Sequence, residues 1–98
     1  MIHPLINPES KHYINKGQQT IEKIEGLLTV IKMIGACRFN ILKYEDRKDR
    51  KGQKESDLKK IKTYKNYLSL LESIYSIETK HMLVQDAYTH CRIIVRYK

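Results

Sequence analysis

Three side chains of the kinds that grip phosphate recur along one stripe of this chain. Asn40, Lys43 and Arg47 stand at i, i+3 and i+7, a spacing that aligns them along one face of a helix. Asp57, Lys60 and Tyr64 repeat the pattern after a short basic loop. Between Asn40 and Tyr67 the chain carries ten of its nineteen Lys and Arg residues. If the two helical segments pack antiparallel, both stripes and the loop border one shallow site with amide, cation, carboxylate and aromatic groups. Such a site suits a phosphate-bearing ligand. The same residues also read as a solvated helical hairpin whose lysines serve solubility.

The chemistry of such a site falls to side chains and helix ends. Four glycines occur, none five apart, so neither GxxxxGK[ST] nor GxGxxG can be written. Lys43 and Arg47 lead the candidates because they leave an otherwise apolar helix near its C-terminal end. Lys51, Lys59, Lys60 and Lys62 stand behind them. Tyr44, Tyr64 and Tyr67, set among lysines, have faces on which a base could stack, or they rim the core with their hydroxyls outward. Glu22 and Glu25, at i and i+3, have the carboxylates that Mg²⁺ shares with phosphate and water, or they are ordinary helix surface. Asp57 reads as a metal ligand, a base, or a carboxylate favouring a helix start. His3, His12, His81, His90, Cys37 and Cys91 show no zinc spacing, so no zinc is expected.

The elements that must position these groups read as all-α. Both prolines fall within the first eight residues, which leaves the rest free of the strongest helix breaker. We expect a single domain, a small bundle of three to four helices behind an irregular N-terminal arm. The arm covers 1–17, the helical core 18–75, and a C-terminal extension 76–98 is also read as helical, with CRIIVRY open to a strand reading. Within the core, Ile21, Ile24, Leu27 and Leu28 make one apolar stripe. Gly26 and Thr29 are candidates for a break, with Thr29 as the next N-cap; the alternative is one long helix through to Asp46. Val30, Ile31, Met33, Ile34, Cys37, Ile41, Leu42 and Tyr44 supply a wide apolar face. Ser56 is the expected cap of the following helix, whose Leu58, Ile61, Leu68, Leu71, Ile74 and Tyr75 face inward.

The formal charge of +8 favours anionic partners. A chain of this size buries roughly 60–65% of its unfolded surface, so self-association into a homo-oligomer would add needed burial. No apolar run approaches a membrane span, and neither leader nor disulfide framework is apparent. A protein free of the membrane and in the cytoplasm is expected.

Taken in order, HY…G…TIEKIE…N-x-x-KY-x-x-R…DLKK-x-K-x-Y resembles the small phage-encoded nucleotide-kinase-like family, whose best understood members are nucleoside monophosphate kinases without a P-loop. The matching residues run from His12, Tyr13 and Gly17 through Ile21, Glu22 and Glu25. They continue with Asn40, Lys43, Tyr44 and Arg47, then Asp57 to Lys60, Lys62 and Tyr64, within about residues 7–72. The family has a glycine directly before the asparagine; here Phe39 stands there, a ring that would crowd a ligand or helix. The resemblance implies a phage protein of the bacterial cytoplasm that binds a nucleotide and transfers phosphate from ATP to a deoxynucleotide. Lys43, Arg47 and Asp57 would then be catalytic. His12, Tyr13, Asn40, Lys43, Tyr44, Arg47, Lys60 and Tyr64 would bind the nucleotide, and Glu22 or Glu25 would hold Mg²⁺. A protein that sequesters a nucleotide or signalling nucleotide against host defence is the alternative. A binder of nucleic acid or of an acidic protein comes second to both.

Overall fold

The computed structural model describes residues 1–5, 20–48 and 54–97, and these form the all-α bundle expected. Helix α1, whose described residues are 20–25, is followed by α2 (Val30–Arg47), α3 (Lys54–Ile74) and α4 (Val84–His90). Among the described residues no strand forms; two isolated bridges join Ile2 to Arg96 and Thr29 to Leu83.

The break after α1 falls where Gly26 and Thr29 predict it. The Gly26 N–H closes α1 on the Glu22 and Lys23 carbonyls. A Cβ at Gly26 would lie 3.2 Å from Gln85 Oε1, and Gln85 Nε2 donates to the Glu22 carbonyl at 2.6 Å. Glycine therefore lets α4 approach the turn closely. Thr29 caps α2, its Oγ1 accepting from the Lys32 N–H at 3.4 Å. Helix α3 begins two residues before Ser56.

Helices α2 and α3 run antiparallel. Arg47 meets Asp57 near the loop, while Ile34 and Glu72 border one hollow at the far end. Val30, Met33, Ile34 and Cys37 of α2 pack with Tyr67, Leu70, Leu71 and Ile74 of α3 and with Val84, Ala87 and Tyr88 of α4. The expected wide face of α2 divides. Ile31 and Leu42 are exposed at 41% and 66%, on the side opposite the core. Apolar residues occupy two faces of α2, and periodicity alone cannot say which is buried. Leu58 and Tyr75 likewise turn outward.

The tail is helical over seven residues only. It leaves α4 through Arg92, whose φ is 57°. The Ile93 N–H bonds the Tyr88 carbonyl at 2.8 Å and the Arg92 N–H bonds the Thr89 carbonyl at 3.1 Å, the paired bonds of a Schellman stop. Beyond it the chain extends, and Arg96 exchanges backbone bonds with Met1 and His3. The tail's β-branched residues favour that extended form. The start of the arm is therefore docked, with His3 buried.

Candidate functional site

The two sequence stripes do come together. Tyr44 and Tyr64 stack across the hairpin with centroids 6.1 Å apart and planes 19° from parallel. Lys43 Nζ lies 4.6 Å, Lys60 Nζ 5.1 Å and Arg47 Cζ 5.5 Å from the centre of the Tyr44 ring, each within cation–π range. Arg47 Nε is 3.5 Å from Asp57 Oδ2. Helical spacing produces this convergence: Lys43 and Arg47 flank Tyr44 on α2, and Lys60 precedes Tyr64 by one turn on α3.

The cluster borders a cleft with two chambers. The outer chamber, about 460 Å³, has Tyr44, Lys59, Lys60, Thr63 and Tyr64 on its wall. The inner one, about 260 Å³, is lined by Met33, Cys37, Asn40 and Tyr67 and reaches Glu25. Leu5, Ile21, Ile24 and Tyr64 border both. Asn40 donates through Nδ2 to the Ala36 carbonyl at 2.9 Å, which fixes its side chain at the inner wall. Burial, then the charge of Glu25, pushes the Cys37 thiol up to about 12, so it stays protonated and is a poor nucleophile. Burial also raises Tyr64, with Tyr44 and Cys37 adding to the effect.

Asp57 is fully buried in the first turn of α3. Neither of its oxygens accepts a hydrogen bond; the 3.5 Å contact with Arg47 is an ion pair, longer than the usual hydrogen-bond range. Phe39 is 67% exposed, so its ring points away from the cleft and does not crowd it. Lys43 and Lys60 reach Tyr44 from exposed positions. His12 and Tyr13 lie outside the described residues.

Sequence reasoning missed the group behind the inner chamber. Glu25 is fully buried, and its Oε2 accepts from Tyr67 at 2.5 Å, Tyr88 at 2.5 Å and His3 Nε2 at 3.0 Å. Its Oε1 accepts from Tyr97. His3 Nδ1 accepts the Leu5 N–H at 3.1 Å, so Nε2 carries the proton and the imidazole is neutral. The His3–Glu25 contact is thus a hydrogen bond rather than an ion pair. Burial raises the Glu25 carboxyl, but the four donors outweigh it and hold the group below its ordinary value. Tyr67, Tyr88 and Tyr97 are all pushed above the usual phenol range, by burial first and by Glu25 next.

The pairing of Glu22 with Glu25 does not fit a magnesium site, because an ion there would have to displace those donors from Glu25. Glu22 itself is half-buried and engaged. No cluster of three His, Cys, Asp or Glu suited to a metal occurs among the described residues. One signal pointed to the Glu25 hub. Glu25 falls four residues after Ile21 and three before Leu28, inside the apolar stripe of α1, where an acid must find partners.

Among the described residues no helix is long and apolar enough to cross a membrane. A family model, described as a protein of unknown function (DUF3310), matches residues 7–66. No curated relative and no solved structure matches the chain.

Proposed function

The chain belongs to the DUF3310 family, whose description names no activity, and we propose from the cleft's own chemistry that it is a nucleotide-binding protein. The observation that carries this reading is the gathering of Lys43, Arg47 and Lys60 around one tyrosine ring. Three like charges repel one another at this range, and Asp57 offsets one of them. Among these four described groups two formal positive charges are in excess, beside a stacked aromatic pair. A phosphate monoester, carrying about −1.5 to −2 at neutral pH, would turn that repulsion into attraction. Lys43 through Tyr64 all lie inside the family span of 7–66, whereas His3, Tyr67, Tyr88 and Tyr97 lie outside it. Most of the cleft wall thus falls within the family region, with Leu5 and Tyr67 outside it.

Titration calorimetry with each deoxynucleoside monophosphate tests the reading. Replacing Lys43 or Lys60 with alanine should weaken binding roughly tenfold, the loss of about 1.4 kcal/mol. No heat from any of these ligands with the wild-type protein would refute it. Affinity that falls steeply with salt and is spread over many lysines would point to nucleic acid instead.

Phosphoryl transfer from ATP to a deoxynucleotide is the reaction such cations would serve, in the infected bacterial cytoplasm that the resemblance implies. Incubation with ATP, Mg²⁺ and each monophosphate tests it. A second reading, sequestration without turnover, is favoured by the carboxylates: Glu25 is enclosed by donors and Asp57 is held against Arg47. Binding without turnover would select it.

The reading also takes the protein to pair with a second copy. Ile31, Gly35, Phe39 and Leu42 share the outer face of α2, and a Cβ at Gly35 would meet nothing within 4 Å. In an antiparallel two-fold pairing about Gly35, Phe39 of one copy lies level with Ile31 of the other, four residues from the axis on either side.

A further inference from the structure

The inference that the structure carries furthest concerns Asp57, and it rests on the nucleotide reading above. A buried carboxylate without a hydrogen bond is uncommon in a folded chain. Asp57 has no exposed surface, and neither of its oxygens is bonded. A helix start does not require this arrangement. Glu55 also stands in the first turn of α3 and is exposed, and an exposed acid serves the helix dipole equally well. The group that Asp57 does face is Arg47, in the last turn of α2, at 3.5 Å through Nε.

A guanidinium is a rigid planar fork. The Tyr44 ring approaches its Cζ at 5.5 Å, and the Asp57 carboxylate approaches its Nε. Ring and carboxylate together hold the guanidinium beside Tyr44, a residue that lines the outer chamber with Lys60. We propose that Asp57 is the positioning residue of the phosphate seat, holding the Arg47 guanidinium in the orientation that meets the phosphate of a bound nucleotide.

The proposal has a sign that simple electrostatics contradicts. Asp57 is a negative charge beside an anion site. If charge alone governed affinity, removing it would make a phosphate bind more tightly. If Asp57 positions Arg47, removing its charge removes one of the contacts that orient the fork, and binding weakens. The penalty for fixing the fork then falls on the bound state, as preorganisation requires.

The test compares Asp57→Asn, Asp57→Glu and Arg47→Lys with the wild-type protein, using the four deoxynucleoside monophosphates and inorganic phosphate as probes. Asp57→Asn should weaken monophosphate binding at least tenfold while its thermal midpoint stays level or rises, since a charge without hydrogen bonds has been removed. Asp57→Glu, which keeps the charge, should recover binding to within about threefold of wild type, a rescue that a purely structural residue would not show. Arg47→Lys keeps a cation but loses the fork. It should also bind at least tenfold more weakly, and adding Asp57→Asn to it should cost nothing further. Unchanged or tighter binding by Asp57→Asn overturns the proposal. Should that variant not fold, wild-type affinity in Arg47→Lys overturns it independently. A wild-type protein that binds none of the probes refutes the nucleotide reading itself, a distinct outcome.

Discussion

Removing the Tyr88 hydroxyl tests whether Glu25 is the keystone of the bundle. Tyr88→Phe keeps the ring and its packing, and Tyr88 is 6% exposed, so water cannot replace the lost donor. The hydrogen bond it ends is made to a fully buried carboxylate at 2.5 Å. A bond of this class contributes about 1.5–3 kcal/mol. The whole domain has on the order of 5–15 kcal/mol to lose, so the single variant folds, and its melting temperature drops by on the order of 10 °C. Tyr67→Phe, at 1% exposure and bonded to the same oxygen, should behave alike. The double variant leaves Oε2 with His3 alone, and its loss should exceed the sum of the singles, because a buried charge becomes costlier with each donor removed. Urea unfolding followed by circular dichroism measures all three. Tyr75→Phe, at 45% exposure, serves as the control and should shift stability by less than about 0.5 kcal/mol. If Tyr88→Phe also falls within that margin, the reasoning about Glu25 is wrong.

Stability should form a plateau with two edges. Glu25 sits below its ordinary 4.5 in the fold, so its contribution is present above that value and is lost as pH falls through the lowered one. Tyr67, Tyr88 and Tyr97 sit above 10.0, and Cys37 rises from 9.0 to about 12; their contributions hold at lower pH and fade as pH climbs past about 9. Thermal melts across pH check both edges, and stability that increased above pH 10 would contradict the assignment. Arg92→Gly should stabilise the protein by about 0.5–1 kcal/mol, since a non-glycine residue at φ 57° is strained; a lower denaturant midpoint would show that the arginine side chain earns its place. Phe39→Glu should leave the far-ultraviolet spectrum intact while converting a dimer to a monomer in sedimentation equilibrium. A wild-type protein that is monomeric at every concentration would refute the pairing about Gly35.

How legible each part was depended on whether a single helix determined it. The break at Gly26–Thr29 and the cluster of Lys43, Tyr44, Arg47, Lys60 and Tyr64 could be read in advance, because helical spacing and one antiparallel hairpin place every member. The Glu25 hub could not, since its donors come from positions 3, 67, 88 and 97, and no local spacing links them. Glu25 read as a magnesium ligand or helix surface and Asp57 as a ligand, a base or a helix-start acid, although each lies on an apolar stripe: Asp57 is four residues before the buried Ile61. The outer face of α2 misled for the opposite reason, because Ile31 and Leu42 carry the right residue type on the wrong side. The tail ended early because a left-handed turn at Arg92 leaves no mark that an arginine would betray, glycine being the usual occupant.

Hub and cleft share a wall, and their charges give the cleft a direction. The inner chamber ends at Glu25 and Tyr67, while the outer chamber opens beside Lys59 and Lys60. Glu25 is a carboxylate whose partners are neutral donors, so a negative field persists at the inner end and a positive one at the mouth. A phosphate pushed inward would meet a like charge across apolar surroundings, where repulsion is strongest. A nucleotide bound in this cleft therefore seats its base inside, against Met33, Cys37 and Asn40, and its phosphate outside by Tyr44 and Lys60. Variants should divide along the same line. Lys60→Ala costs affinity for the monophosphate and leaves affinity for the parent nucleoside unchanged, whereas an inner change such as Asn40→Ala weakens both alike. Calorimetry with matched nucleoside and monophosphate pairs reads this directly, and a Lys60→Ala variant that lost the nucleoside as fully as the monophosphate would reverse the orientation argued from the two charges.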